Sequence, residues 1–166
     1  AERAAQIATE IGHGVTGDDN AGCARAADLL IVAVPYEGHA ELLTGLAEEL
    51  AGKIVVDCVN PLGFDKQGAF GLVVEAGSAA QEAAIAAPDA RIVGAFHHVS
   101  AVLLLDETVD EINTDILVVG DDREATDITQ ALANRIAGMR GIYAGRLRNA
   151  HQVEAMTANL ISMNRR

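Results

Sequence analysis

The run Asp28-Leu-Leu-Ile-Val-Ala-Val-Pro35 constrains the fold more than any other segment of this chain. An acid opens it, six apolar residues follow without a polar break, and a proline closes it. A strand with one wet face alternates apolar and polar residues, whereas an unbroken apolar run suits a parallel strand covered on both faces. Pro35 has no N–H to extend a ladder, so the strand ends there. In open α/β sheets, ligands sit outside the carboxyl ends of the strands. Tyr36 to Glu41 is therefore the first place to look for binding residues.

The remaining chain alternates helical and strand patterns. Ala1 to Ile11 is rich in helix formers and is stopped by Gly12 and Gly14. Asp18 or Asp19 can cap a short helix through Ala27. Glu37 to Leu50 places Leu42, Leu43, Leu46 and Leu50 at helical spacing. Lys53–Asp57 reads as a strand and Asn60–Gly63 as a turn. Ser78 opens a helix through Ala86, and Arg91–Phe96 and Thr114–Gly120 read as strands. Asp121 or Asp122 opens a helix to about Ala137, Gly141–Ala144 is a short last strand, and Arg148–Asn164 is a long terminal helix. Such alternation means βα units in an α/β, doubly wound, mostly parallel sheet. Val153, Met156, Leu160, Ile161 and Met163 give the terminal helix an apolar face for the core or a dimer interface.

At 166 residues the chain can bury one real core. A net charge of −12 argues against nucleic acid as a partner, while leaving room for an anionic cofactor held by backbone N–H groups. Cys23 and Cys58 form no C-x-x-C and read as two buried free thiols, which suits a reducing cytoplasm. A signal peptide and an 18-residue apolar run are both lacking, so the expectation is a soluble protein without a membrane partner.

Gly12-His-Gly-Val-Thr-Gly17 matches the G-x-G-x-x-G pattern of dinucleotide sites. That fingerprint works only after a strand and before a helix, where the pyrophosphate meets the helix N-terminus. Here the preceding segment is helical, and Asp18 and Asp19 would repel phosphate, so a surface loop is the better reading. The expected strand, glycine turn and helix would lie before Ala1, which makes the sheet N-terminally incomplete on this reading.

Four motifs, in this order and spacing, carry a family resemblance: Val34-Pro35-Tyr36-Glu37-Gly38-His39, Gly94-Ala95-Phe96-His97-His98, Gly120-Asp121-Asp122 and Asn149-Ala-His-Gln-Val-Glu-Ala-Met-Thr157. Together they resemble the NADPH-dependent F420 reductases (F420H2:NADP oxidoreductases). The resemblance implies a Rossmann-like domain over residues 1–105 and a smaller C-terminal portion over 106–166. It also implies a homodimer and hydride transfer between NADP(H) and the deazaflavin coenzyme F420. By the same resemblance Pro35, Tyr36, His39, Asn60, Pro61 and Ala101 belong to the NADP side. His97, Val99 and Thr157 belong to the F420 side, with Val99 and Ala101 forming the wall between the two rings. Ala155 stands where serine is common, and His98 where some members have threonine. The glycine turn and the Ser-Arg pair that select NADP are not in these residues, so this chain alone is expected to bind NADP poorly.

This chemistry is coherent from the residues up. Hydride transfer between two heterocycles needs no catalytic nucleophile; it needs two rings held in contact, water excluded, and donors on the acceptor's polar edge. His97-His98 could also be read as a metal pair, but neighbours on a strand point to opposite faces, so no metal is expected. Arg146, Arg148, Arg165 and Arg166 read as solvated charges that could attract the anionic tail of F420. One alternative is another NADP reductase acting on a small imine or keto substrate, which would need a lysine general acid; the chain has only Lys53 and Lys66. The other is a non-enzymatic nucleotide-sensing module.

Overall fold

A computed structural model describes residues 1–164. Two helices open the chain, α1 (Glu2–Ile11) and α2 (Asn20–Ala26), followed by β1 (Leu29–Val32). The Gly12–Gly17 segment joins α1 to α2 with no strand before it, and the Asp19 side chain caps α2 by accepting from the Gly22 N–H (2.7 Å). Next come α3 (His39–Gly45), α4 (Ala47–Leu50), β2 (Ile54–Asp57), β3 (Leu62–Asp65), β4 (Gly68–Gly71), α5 (Ala79–Ala86) and β5 (Arg91–Gly94). The chain then forms α6 (Ala101–Leu105), β6 (Thr114–Gly120), α7 (Arg123–Ala133), β7 (Met139–Gly145), a 3₁₀ turn (Leu147–Asn149) and α8 (Ala150–Asn164).

Five strands form the central sheet in the order β1-β2-β5-β6-β7, and β3-β4 is a separate hairpin. β1, β2 and β5 are parallel, as are β6 and β7, so the sheet is mostly parallel. β6 runs antiparallel to β5, with Val93 opposite Gly120 and Gly94 opposite Val119. The reversal has a simple cause. A parallel return needs a crossover long enough to traverse a sheet face, and residues 95–113 carry only the five-residue α6. The chain therefore re-enters at the edge it left, and the first half of β6 runs past the end of β5.

The sheet is packed on both faces. Val55, Ile92 and Val119 meet Leu43, Leu50, Ala79, Ala80, Ala83 and Val153 on one side. Ile54, Val56, Val93, Ile116 and Val118 meet Ala125, Ala133 and Met139 on the other. β2 is buried at all four positions, as an unbroken apolar run demands. The small side chains of Ala79, Ala80 and Ala83 let α5 lie close to the sheet.

Several expectations need correction. β1 is the edge strand among the described residues, and Ile31 is 52% exposed, so this run is not covered on both faces. The helix expected over Glu37–Leu50 is two helices, broken at Gly45-Leu46, where Leu46 leaves helical geometry (φ −109°, ψ 5°). Asn60–Gly63 is not only a turn, because Leu62 already begins the hairpin. α6 was not anticipated, and the last strand is seven residues long because it pairs along the whole of β6. Cys23 is exposed rather than buried, whereas Cys58 is half-buried and its thiol donates to the Val32 carbonyl (3.0 Å).

Leu50, 1% exposed, closes the core beneath α4 and the sheet. Leu50→Ala should lower unfolding stability by about 2–5 kcal/mol. Ile85→Ala on the exposed side of α5 should change it by no more than about 0.5 kcal/mol. Urea unfolding of both variants measures the contrast, and equal losses would contradict this core.

Candidate functional site

The carboxyl ends of β1, β2 and β5 lie side by side, and the segments that follow them share one edge of the sheet. Pro35 is exposed and Tyr36 half-buried after β1; Asn60 is half-buried and Pro61 buried after β2. After β5 the chain turns through Ala95–Val99, and α8 reaches the same turn with Thr157. The carbonyl of His97 is where these segments meet. Asn60 Nδ2 donates to it at 2.7 Å and Thr157 Oγ1 at 3.2 Å, while Thr157 Oγ1 also lies 3.4 Å from Asn60 Oδ1. Three residues expected to touch cofactors thus bond to one another. Val99 is half-buried against the core, and Ala101 is exposed at the start of α6.

The backbone at this turn is unusual. Phe96 has φ +63°, a left-handed conformation that non-glycine residues adopt at a cost and that clusters at functional sites. Gly94 makes room beneath it, since a Cβ there would lie 3.2 Å from His97 Cε1 and 2.9 Å from Val119 Cγ2. The two histidines sit in this turn, not on the strand where the sequence put them. His98 Nε2 donates to the Asp115 carbonyl (2.8 Å), whereas the His97 ring is 4% exposed. Among the described residues, the buried side-chain polar atoms without a hydrogen-bond partner are His97 Nδ1, His97 Nε2 and His98 Nδ1. Burial pushes the His97 pKa down to about 4, against the weaker pull of Asp57. Its imidazole is therefore neutral at physiological pH. No group of three or more His, Cys, Asp or Glu side chains among the described residues is arranged to hold a metal ion.

His39 lies beneath this surface, its ring 6.4 Å from that of Tyr36. Its ring is wholly buried, with Nε2 2.7 Å from Asp57 Oδ2 and Nδ1 3.5 Å from Glu82 Oε2. Both ring nitrogens are taken up by carboxylates, so in this structure the ring ties the start of α3 to β2 and α5. Burial alone would lower its pKa, but the Asp57 hydrogen bond and charge, aided by Glu82, raise it overall. Sequence reasoning missed Asp57, Glu82 and Glu154. Asp57 had a signal, an acid closing the apolar run of β2. Glu154 had another, a charge on the face that α8 buries with Ala150, Val153, Thr157 and Ala158. Its Oε2 accepts from the Ala79 N–H (2.9 Å) and its Oε1 from the Ala80 N–H (3.1 Å), at the first turn of α5. Burial lifts the Glu154 pKa to about 7 even though those two N–H groups favour the anion.

The other candidates lie elsewhere. Lys53 donates to the Ala24 and Arg25 carbonyls, tying α2 to the start of β2, and Lys66 sits in the turn of the hairpin. Arg146 is exposed 3.5 Å from Asp121, and Arg148 is exposed in the 3₁₀ turn. Arg165 and Arg166 fall outside the described residues.

The raised His39 pKa means that the protonated ring is favoured in the fold. Its stabilisation is complete below the ordinary value of 6.5 and is lost as pH rises through the raised one. Asp57→Asn should therefore cost more stability near pH 6 than near pH 9, as read from urea midpoints at the two pH values. The lowered His97 pKa has the opposite sign: its contribution is present above 6.5 and lost as pH falls toward about 4. The His97 ring resonances should accordingly hold still from about pH 8 to pH 5.

Residues 1–61 match the family model described as "NADP oxidoreductase coenzyme F420-dependent". The chain is 33% identical to an F420-dependent NADP reductase of Methanothermobacter marburgensis over 168 residues, covering 99% of this chain and 75% of that protein. It is 37% identical to an F420-dependent NADP reductase of Methanocaldococcus jannaschii, covering 99% of this chain and 77% of that protein. Among solved structures, a putative F420-dependent NADP reductase from Arthrobacter sp. FB24 superposes with a TM-score of 0.75 at 26% identity, over 86% of this chain and 66% of that one. With this identity over three quarters of the relatives' length, the chain belongs to the F420-dependent NADP reductase family.

Proposed function

We propose that this protein is an oxidoreductase that passes a hydride between NADP(H) and coenzyme F420. The observation that carries the reading is the convergence at residues 97–98. Every partnerless buried side-chain polar atom among the described residues lies on these two histidines, at the sheet edge where α/β folds bind ligands. A turn that holds unused hydrogen-bonding groups beside Asn60 and Thr157 fits a heterocycle with a polar edge. Family membership supplies the identity of that heterocycle and its redox partner.

When bound, the two coenzymes supply the hydride donor and acceptor. The protein's task is alignment, exclusion of water and electrostatic support. Pro35, Tyr36, Asn60 and Pro61 form the NADP side, joined by Ala101 at the start of α6. His97, Val99 and Thr157 form the F420 side. Val99 and Ala101 are small enough to leave the rings in contact. Neutral His97 acts as a hydrogen-bonding group and not as an imidazolium acid, because charging it in its buried setting is unfavourable. The Thr157 hydroxyl already donates to the His97 carbonyl, so toward a ligand its oxygen is an acceptor. Neither lysine stands among these residues, which favours the deazaflavin reading over reduction of an imine or keto group with a lysine acid.

Residues 1–105 form the NADP-side portion on this reading, and residues 106–166 add β6, β7 and the helix that carries Thr157. No helix among the described residues is long and apolar enough to cross a membrane. We place the protein in the cytoplasm as a homodimer, with the outer face of α8, where Met156 and Met163 are exposed, at the contact.

Mixing the full-length protein with NADPH and F420 should bleach the nicotinamide band at about 340 nm and the deazaflavin band together. Loss of neither band would refute the reading. His97→Ala should weaken F420 binding more than NADP binding in direct titrations, and equal weakening of the two would remove His97 from the F420 side.

A further inference from the structure

Glu154 is 1% exposed, and a buried carboxylate is costly unless its oxygens are fully bonded. Packing alone does not require it, because Val153 and Ala158 already seat the same face of α8 in the core. What a carboxylate adds is direction. Its two oxygens take the Ala79 and Ala80 N–H groups separately, while Ser78 Oγ accepts from the next free donor, Gln81 N–H (3.1 Å). Charge-assisted bonds at a helix N-terminus are short and strongly oriented. They fix the height of α8 along its own axis against α5, which a smooth apolar contact leaves free.

Thr157 lies three residues further along α8 and therefore on the same face. A shift of α8 at Glu154 moves the Thr157 hydroxyl relative to the His97 carbonyl it bonds. The second donor to that carbonyl, Asn60, is referred to the same helix by another path. Glu82 in the first turn of α5 faces His39, His39 bonds Asp57, and Asp57 Oδ1 accepts from the Val59 N–H (2.9 Å), one residue before Asn60. Both donors that hold the His97 turn are thus levelled by the first turn of α5, and Glu154 is the link on the α8 side. Pro35 and Tyr36 are carried by β1, and the Tyr36 ring packs against the same core beside Glu82, with the Glu154 charge acting on it only weakly.

We propose that Glu154 is a positioning residue for the F420 side of the site, setting Thr157 and the His97 turn through its clamp on α5. This inference rests on the function proposed above. In Glu154→Gln the side chain keeps its size, but its amide donor is forced against a backbone donor. The KM for F420 should rise about tenfold and the KM for NADPH by clearly less, about threefold at most, because Asn60 and Tyr36 are also held from β2 and β1, while kcat stays within about twofold. Glu154→Asp keeps both acceptor oxygens and should recover much of the F420 KM. In the protein without cofactors, Glu154→Gln should also shift the His97 ring resonances, and thermal melting checks that the variant is folded. A folded Glu154→Gln with an unchanged F420 KM, or one that raises both KM values in parallel, overturns the proposal. If that variant does not fold, Glu154→Asp decides: an F420 KM equal to wild type counts against the clamp, and a selective rise supports it. Failure of the wild-type protein to turn over F420 would instead overturn the functional reading, and this proposal with it.

Discussion

Asp57 is the buried charge around which the carboxyl edge of the sheet is organised. It is fully enclosed at the end of β2, and an enclosed carboxylate persists only when each oxygen has a partner. One oxygen takes His39, which holds the start of α3 against the sheet. The other takes the Val59 N–H and turns the chain out of the sheet toward Asn60. Because His39 also faces Glu82, α5 is drawn into the same arrangement. Removing Asp57 would leave a buried imidazole beside a single carboxylate and free the loop that carries Asn60. Breaking such a pair from one side is more damaging than replacing it whole.

The site above this cluster is built mainly from bonds within the protein. Asn60, the His97 carbonyl and Thr157 satisfy one another, while the rings of His97 and His98 keep the unsatisfied atoms. On the proposed reading, a loop whose backbone is settled and whose side-chain polar groups are not is preorganised for a ligand. The left-handed Phe96 and the missing side chain at Gly94 contribute to this, because together they let the chain reverse tightly and fold the His97 ring inward. Burial keeps that ring neutral.

Much of the fold was legible. Asp19, Ser78 and Asp122 each cap the helix their position announces, because a side-chain oxygen at an N-cap satisfies a local backbone donor. The helix before Gly12–Gly17 and the acids after it argue against a phosphate loop there, and the segment does join two helices. The site was legible in part. The resemblance named Asn60, His97 and Thr157, which the fold gathers on one carbonyl, but it also named His39, whose ring turns inward. A histidine at the start of a helix looks the same in sequence whether it faces a ligand or a buried acid. The acid that captures it is 18 residues away.

The sequence by itself determined the local choices: where strands and helices begin, which runs are apolar enough to be buried, and where caps and glycines stop them. These follow from neighbours a few residues apart. The tertiary structure alone decided the antiparallel entry of β6, the burial of His39 and the seating of Glu154 on α5. Each depends on which distant segment supplies a partner for a buried polar group or an open strand edge. That pairing is a property of the assembled chain, because the desolvation that makes it obligatory exists only once the core has closed.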